Sequence, residues 1–279
     1  MVKLARGPET LLVASGKGGV GTSMLATLMA LSAAHDDRRV LLVDATESGG
    51  TLHHLFGVRP ARSLWMLARP NAELRDTLMA IDETLTLIAG GTAGGATPPR
   101  NGDERRAALA TVSQVFDAFD LIVVDGGSRL DALNGIVDAL NPRIVLATSA
   151  DRLALAANYA LVKSLRARRE DLEISVAANR HGVAVAEEAC EFLIGACSHF
   201  LGRSIGIAGV VPDDPCLQAA IGAGMSVRDA LEGSPAADAA RSVLNAMVPS
   251  WPHAVPSSAA TMSSPSFPSV SSPSSRRWS

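Results

Sequence analysis

Four glycines stand within six positions in the segment Ser15-Gly16-Lys17-Gly18-Gly19-Val20-Gly21-Thr22-Ser23. A short apolar run, Leu11–Ala14, precedes it and a helical pattern, Ser23–Ala34, follows. A tight strand-to-helix turn needs one glycine. This many let successive backbone N–H groups turn inward and ring an anion, with the positive end of the helix dipole behind them. A chain built around such a loop is constrained to place it at the carboxyl end of a sheet strand, where open α/β sheets bind their ligands.

The rest of the chain reads the same way. Further short apolar runs occur at Val40–Val43, Leu85–Ile88, Leu121–Val124, Ile144–Ala147, Ile174–Ala177 and Ile207–Val211. Helical patterns lie between most of them, among them Ala107–Ala118, Ala154–Arg168 and Ala184–Phe200, with Ala236–Val248 as the last. Continuous apolar strands alternating with helices predict a three-layer α/β/α domain with a mainly parallel sheet of seven or eight strands. At 279 residues, with 47% hydrophobic but only 4% aromatic, the core must be aliphatic. The domain is expected to span 1–249. Residues 250–279 hold 12 Ser and 5 Pro in 30 positions and are expected to form a disordered tail. Gly90–Gly102 is expected to be a flexible surface loop.

Several classes of function are excluded or disfavoured by composition. A formal charge of -3 advertises no nucleic acid. Three cysteines give no disulfide framework and fit a reducing compartment, so the expected location is cytoplasmic. No apolar run reaches transmembrane length. Cys190, Cys197 and Cys216 are read as small core residues, and His53-His54 lacks ligand spacing around it. Arg166, Arg168 and Arg169 end a helix, where cations are favoured, and Glu170, Asp171 and Glu173 dilute them. DNA is not expected as a partner.

Two aspartates close apolar strands, Asp44 and Asp125, and both are expected to face the phosphate site. Asp125 is placed to hold Mg²⁺ through its water shell, and Ser23 stands where a phosphate-loop hydroxyl ligates the same ion. An ordinary phosphate loop carries lysine immediately before that hydroxyl. Here Thr22 stands there, and the lysine comes early, at Lys17.

An early lysine in a KGGxG context resembles the deviant Walker A motif of the MinD/ParA family of P-loop ATPases. The resemblance covers about residues 8–245. It implies that Lys17 contacts phosphates, either in its own subunit or across a nucleotide-sandwich dimer, while Gly16, Gly18, Gly19, Val20, Gly21 and Thr22 supply the loop. The family pattern after the second strand is Asp-x-Asp, whose second aspartate activates water. Thr46 stands there instead, with Glu47 one residue out of register and Asp44 the remaining switch I carboxylate. A hydroxyl orients water but does not accept its proton near neutral pH. ATP is therefore expected to bind with Mg²⁺ and to be hydrolysed slowly or hardly at all.

Later segments resemble the flagellar number regulator branch, FlhG/FleN: Asp125-Gly126-Gly127-Ser128, the helix Ala157–Leu165, and His199-Phe200-Leu201. By resemblance to the wider family, Asn179 and the turn Gly209-Val210-Val211-Pro212-Asp213 border the adenine. The nine residues before the first strand region do not resemble the N-terminal helix by which that branch stimulates its GTPase partner, so that stimulation is not expected. The Ser/Pro tail stands where that branch has an amphipathic membrane helix. Arg276-Arg277-Trp278 would make only a weak anchor at the inner face of the membrane. What the resemblance implies is an ATP-dependent homodimer that engages a protein partner of a flagellar or pilus system. The alternative is a pseudo-ATPase scaffold similar to the pilus proteins CpaE and TadZ, some of which also carry Thr at the later loop position.

Overall fold

The computed structural model describes residues 7–46, 50–92, 101–180, 182–249 and 251. Eight strands form one sheet: β1 (Glu9–Ala14), β2 (Val40–Asp44), β3 (Leu78–Ala80), β4 (Leu85–Ile88), β5 (Leu121–Gly127), β6 (Arg143–Thr148), β7 (Ile174–Asn179) and β8 (Gly206–Val211). Their order is β3-β4-β2-β5-β1-β6-β7-β8. Every pairing is parallel except that of β3 with β4. β3 is the one strand the sequence reading lacks; three residues on an antiparallel edge give no apolar run to detect.

Side chains alternate between two cores because successive strand residues point to opposite faces. Leu11, Val13, Val40, Leu42, Leu121 and Val123 enter one core. Leu12, Ala14, Leu41, Val43, Ile122 and Val124 enter the other. Helices α1 (Thr22–His35), α2 (Leu52–Leu55), α7 (Pro215–Gly222) and α8 (Pro235–Met247) cover the first face. Helices α3 (Gly102–Ser113), α4 (Leu130–Leu140), α5 (Arg152–Arg168) and α6 (Val183–Leu201) cover the second. α1 is apolar nearly all round because α8 packs over it, leaving it no solvated face.

The chain leaves β1 toward β2 through α1 on one face. It crosses from β5 to β6 through α4 on the other. Right-handed crossovers running in opposite directions must use opposite faces, and they open a crevice at the carboxyl end of β1, where the glycine loop sits.

Two expectations change in detail. Gly90 and Gly91 are buried rather than at the surface, because Gly90 lies against the carboxylate of Asp44: a Cβ there would come within 2.8 Å of Oδ1. Residues 93–100 of that stretch lie outside the described residues. At the other end, Trp251 packs against the first core, and the Arg38 guanidinium sits 4.9 Å from its ring centroid. The tail expected from residue 250 lies, apart from Trp251, outside the described residues.

Candidate functional site

The β2–β5 register sets Asp44 directly beside Asp125 at the strand ends. Above them the loop after β1 enters α1 through Gly21, whose φ is +90°. That conformation suits glycine, and a Cβ would also collide with the Asn179 amide at 2.2 Å. Gly16 has a different reason. A Cβ there would lie 2.2 Å from the Ala157 carbonyl oxygen, so α5 presses directly on the loop.

A cavity of about 380 Å³ opens over the loop, lined by Gly18, Gly19, Gly21, Thr22, Ser23 and Thr46 and closed by Gly126–Arg129 and Arg180. The first-turn amides of α1 have no partners within the helix and are free to receive an anion. Beside it lies a smaller cavity of about 150 Å³, bordered by Asn179, Pro212 and Asp213. The two share Gly21, Met24 and Arg180. The phosphate-loop and base-contact residues read from the sequence are thus brought together across one loop.

Asp125 is buried, and its Oδ2 has no hydrogen-bond partner. Its other oxygen accepts from Gly127 N at 3.2 Å. Burial, and then the neighbouring Asp44, push this carboxyl up to about 7; a hydrogen bond from Ser23 and the Gly127 amide pull the other way. A buried carboxyl with an orphaned oxygen next to a hydroxyl fits Mg²⁺. That ion takes one or two protein oxygens and completes its shell with water and phosphate. Among the described residues no group of three or more His, Cys, Asp or Glu could hold a metal by itself.

Asp44 does not line the cavity. Its Oδ1 accepts from the Thr46 hydroxyl at 2.7 Å and the Thr46 amide at 3.2 Å, and its Oδ2 from the amides of Thr51 and Leu52 at 2.9 and 3.1 Å. Four hydrogen bonds on a fully buried carboxylate make it an anchor for Thr46 and for the start of α2 at Thr51 and Leu52. Asp125 is likewise not among the residues lining the cavity, so the two aspartates, both expected to face the phosphate site, sit side by side behind its wall at the strand ends. Thr46 does line the cavity, with its hydroxyl donated to Asp44. Glu47 lies outside the described residues.

Lys17 also stands apart from the cavity over its own loop. Its Nζ donates to both oxygens of Asp151 at 3.1 and 3.2 Å. Asp151 caps α5, accepting from Ala154 N at 2.9 Å and from the Ser149 hydroxyl. Those two bonds, and then Lys17, hold its carboxyl well below the usual range. Asn179 gives its amide nitrogen to the Val20 carbonyl at 2.9 Å, so it clamps β7 to the loop as well as bordering the smaller cavity.

Sequence reasoning missed three residues that matter here: Asp151, Asn158 and Arg180. Asn158 is fully buried; it accepts from Gly16 N at 2.6 Å and donates to the Ala147 carbonyl at 3.0 Å. A polar residue on the apolar stripe of a helix was the available signal. Asp151 was legible as a helix cap only, and Arg180 carries no motif. Of the cysteines, Cys190 and Cys197 are buried in α6 as expected, but Cys216 is exposed on α7, whose buried side is carried by Leu217. Arg166, Arg168 and Arg169 bond respectively to the Ser204 carbonyl, Asp138 and Asp171.

Comparison with known proteins agrees with this geometry. The ParA family model, described as NUBPL iron-transfer P-loop NTPase, matches residues 8–80. The chain is 26% identical over 246 residues to the antiactivator FleN of Pseudomonas aeruginosa, covering 88% of this chain and 87% of that protein. It is 26% identical over 162 residues to the flagellum site-determining protein YlxH of Helicobacter pylori, covering 58% of this chain and 55% of that one. In structure it is similar to the septum site-determining protein MinD from Pyrococcus horikoshii, complexed with Mg-ADP. The TM-score is 0.67 at 19% identity, over 85% of this chain and 95% of that one.

Proposed function

We propose, from the premise that this chain is a ParA-family P-loop NTPase, that it is a nucleotide-operated switch. In this reading it binds ATP with Mg²⁺, closes as a homodimer, and in that state engages a protein partner to set the position or number of a cellular machine, a flagellum above all. One observation carries the reading. The loop, Ser23 and Asp125 converge at the carboxyl end of β1, with a second cavity for the base beside them. The machine is inferred from relatives that are an antiactivator and a flagellum site-determining protein.

The amides of residues 18–23 take the phosphates. Ser23 and Asp125 hold Mg²⁺, which neutralises phosphate charge when bound. Lys17, which does not line its own cavity and whose ammonium is held by Asp151 among the described residues, is presented toward a second copy. Turnover is slow because the position from which a carboxylate would accept the proton of water carries Thr46. An apolar groove between α5 and α6, with Phe192 and Phe200 exposed along it, begins on either side of Asp151 and supports a partner docking near the Lys17 contact. Among the described residues no helix is long and apolar enough to cross a membrane. Any contact with the inner face of a membrane would be peripheral.

The test is the solution mass without nucleotide, with Mg-ADP and with Mg-ATP. A dimer only with Mg-ATP, abolished by Lys17→Ala, is the expected result. One mass under all three conditions sinks the switch. A constitutive dimer would favour the pseudo-ATPase scaffold of the CpaE/TadZ kind, which Thr22 and Thr46 recommend.

A further inference from the structure

Arg180 stands one residue beyond β7 with φ +67°, the left-handed region that a branched or long side chain rarely adopts. Its amide donates to the Val211 carbonyl at 2.8 Å, which fixes that turn of backbone. The stem of its side chain runs past the loop: a Cβ on Gly21 would sit 3.6 Å from Arg180 Cδ. Its nearest carboxylate, Asp213, lies 3.7 Å from Nε, beyond hydrogen-bond range, and both side chains are half exposed.

Of the three described residues that the two cavities share, Arg180 is the one cation. It borders both cavities, at the junction where the base end meets the phosphate end. A nucleotide lying across both would bring its phosphate chain past this side chain. Meanwhile the loop lacks its own late lysine, since Thr22 stands there, and Lys17 is turned to Asp151. Backbone held in a sparsely populated region at a ligand junction points to a functional constraint, and a planar guanidinium suits phosphate oxygens.

We infer that Arg180 is the phosphate-gripping cation of this site, holding the α- and β-phosphates of a nucleoside di- or triphosphate in place of the missing loop lysine. The inference rests on the nucleotide-binding reading above and adds a residue and a consequence to it. Because the grip falls on phosphates common to ADP and ATP, the two nucleotides lose or keep affinity together when it is altered.

Calorimetric titration of the full chain with Mg-ADP and with Mg-ATP tests this, using Arg180→Gly and Arg180→Lys. Glycine suits a positive φ, so Arg180→Gly is expected to melt no lower than the parent. It is expected to bind both nucleotides about tenfold or more weakly, by the same factor for each. Arg180→Lys keeps the charge and is expected to recover most of the loss. Undiminished ADP affinity in Arg180→Gly overturns the assignment, as does a loss in Arg180→Lys equal to that in Arg180→Gly. A parent chain that binds neither nucleotide overturns the nucleotide reading itself, and this assignment with it.

Discussion

In the proposed reading, two threonines separate this site from one built for rapid hydrolysis. Thr22 lies on the cavity wall where a lysine would reach the outer phosphates, and Thr46 presents a methyl toward Gly127 while its hydroxyl serves Asp44. Each change is local, so each is open to reversal. Thr22→Lys adds a charge-assisted bond and is expected to tighten Mg-ATP about tenfold or more by calorimetry. Thr46→Asp supplies a proton acceptor and is expected to raise phosphate release about a hundredfold in a steady-state assay. No gain from Thr46→Asp would count against the proposal that a missing base slows turnover. Both threonines were visible in the sequence because the surrounding motif fixes their register. Arg180 was not, because its place depends on how β7 and β8 end beside the loop.

At the level of elements, α5 does more than cover the sheet. Its cap, Asp151, holds Lys17, and two turns later Asn158 ties the Gly16 amide to the end of β6. Asn158→Ala removes two bonds, one from the part-buried Gly16 amide and one to the buried Ala147 carbonyl. It is expected to cost about 2–3 kcal/mol, a fall in Tm of about 4–12 °C, and to weaken nucleotide binding at the same time. A Tm within about 1 °C of the parent would show the tie to be slack. The strands were legible because their apolar runs and alternation report burial directly. α5's contacts with the loop were not, since a buried asparagine announces a bond without naming its partner.

Another tie closes the opposite end of the sheet. Asp120 accepts from the Arg39 amide at 2.9 Å and from its guanidinium at 2.9 and 3.3 Å. The Arg39 side chain, more than the opposing effect of burial, holds the Asp120 carboxyl below its usual range. A carboxylate depressed in the folded state stabilises above its unfolded pKa of about 4, and that contribution is lost as pH falls through its lower folded value. Asp120→Asn is therefore expected to melt below the parent at neutral pH, by no more than about 1 kcal/mol given its partial exposure. The difference should close on acidification below about pH 4. A gap that persists at low pH would show that the loss is one of packing.

For the whole molecule, the sequence made the three-layer architecture and the placing of the ligand crevice readable, because crossover handedness leaves few alternatives once the strands are known. The end of the folded body was harder to read. Composition changes at Ser250, yet Trp251 closes the bottom of the first core under Arg38. A chain ended after Trp251 is expected to melt with the full chain. Trp251→Ala is expected to lose about 1–2 kcal/mol, or about 2–8 °C. An equal loss on removing residues 252–279 would place part of the fold beyond Trp251. The saturated carboxylate of Asp44 carries a lesson about ancestry. Because it ties Thr46 and the start of α2 to the end of β2, the demands of folding alone would retain it in a chain with no turnover. An aspartate found there in another chain is then evidence of a standing scaffold, and the residue two places on is the one that tells whether the engine still runs.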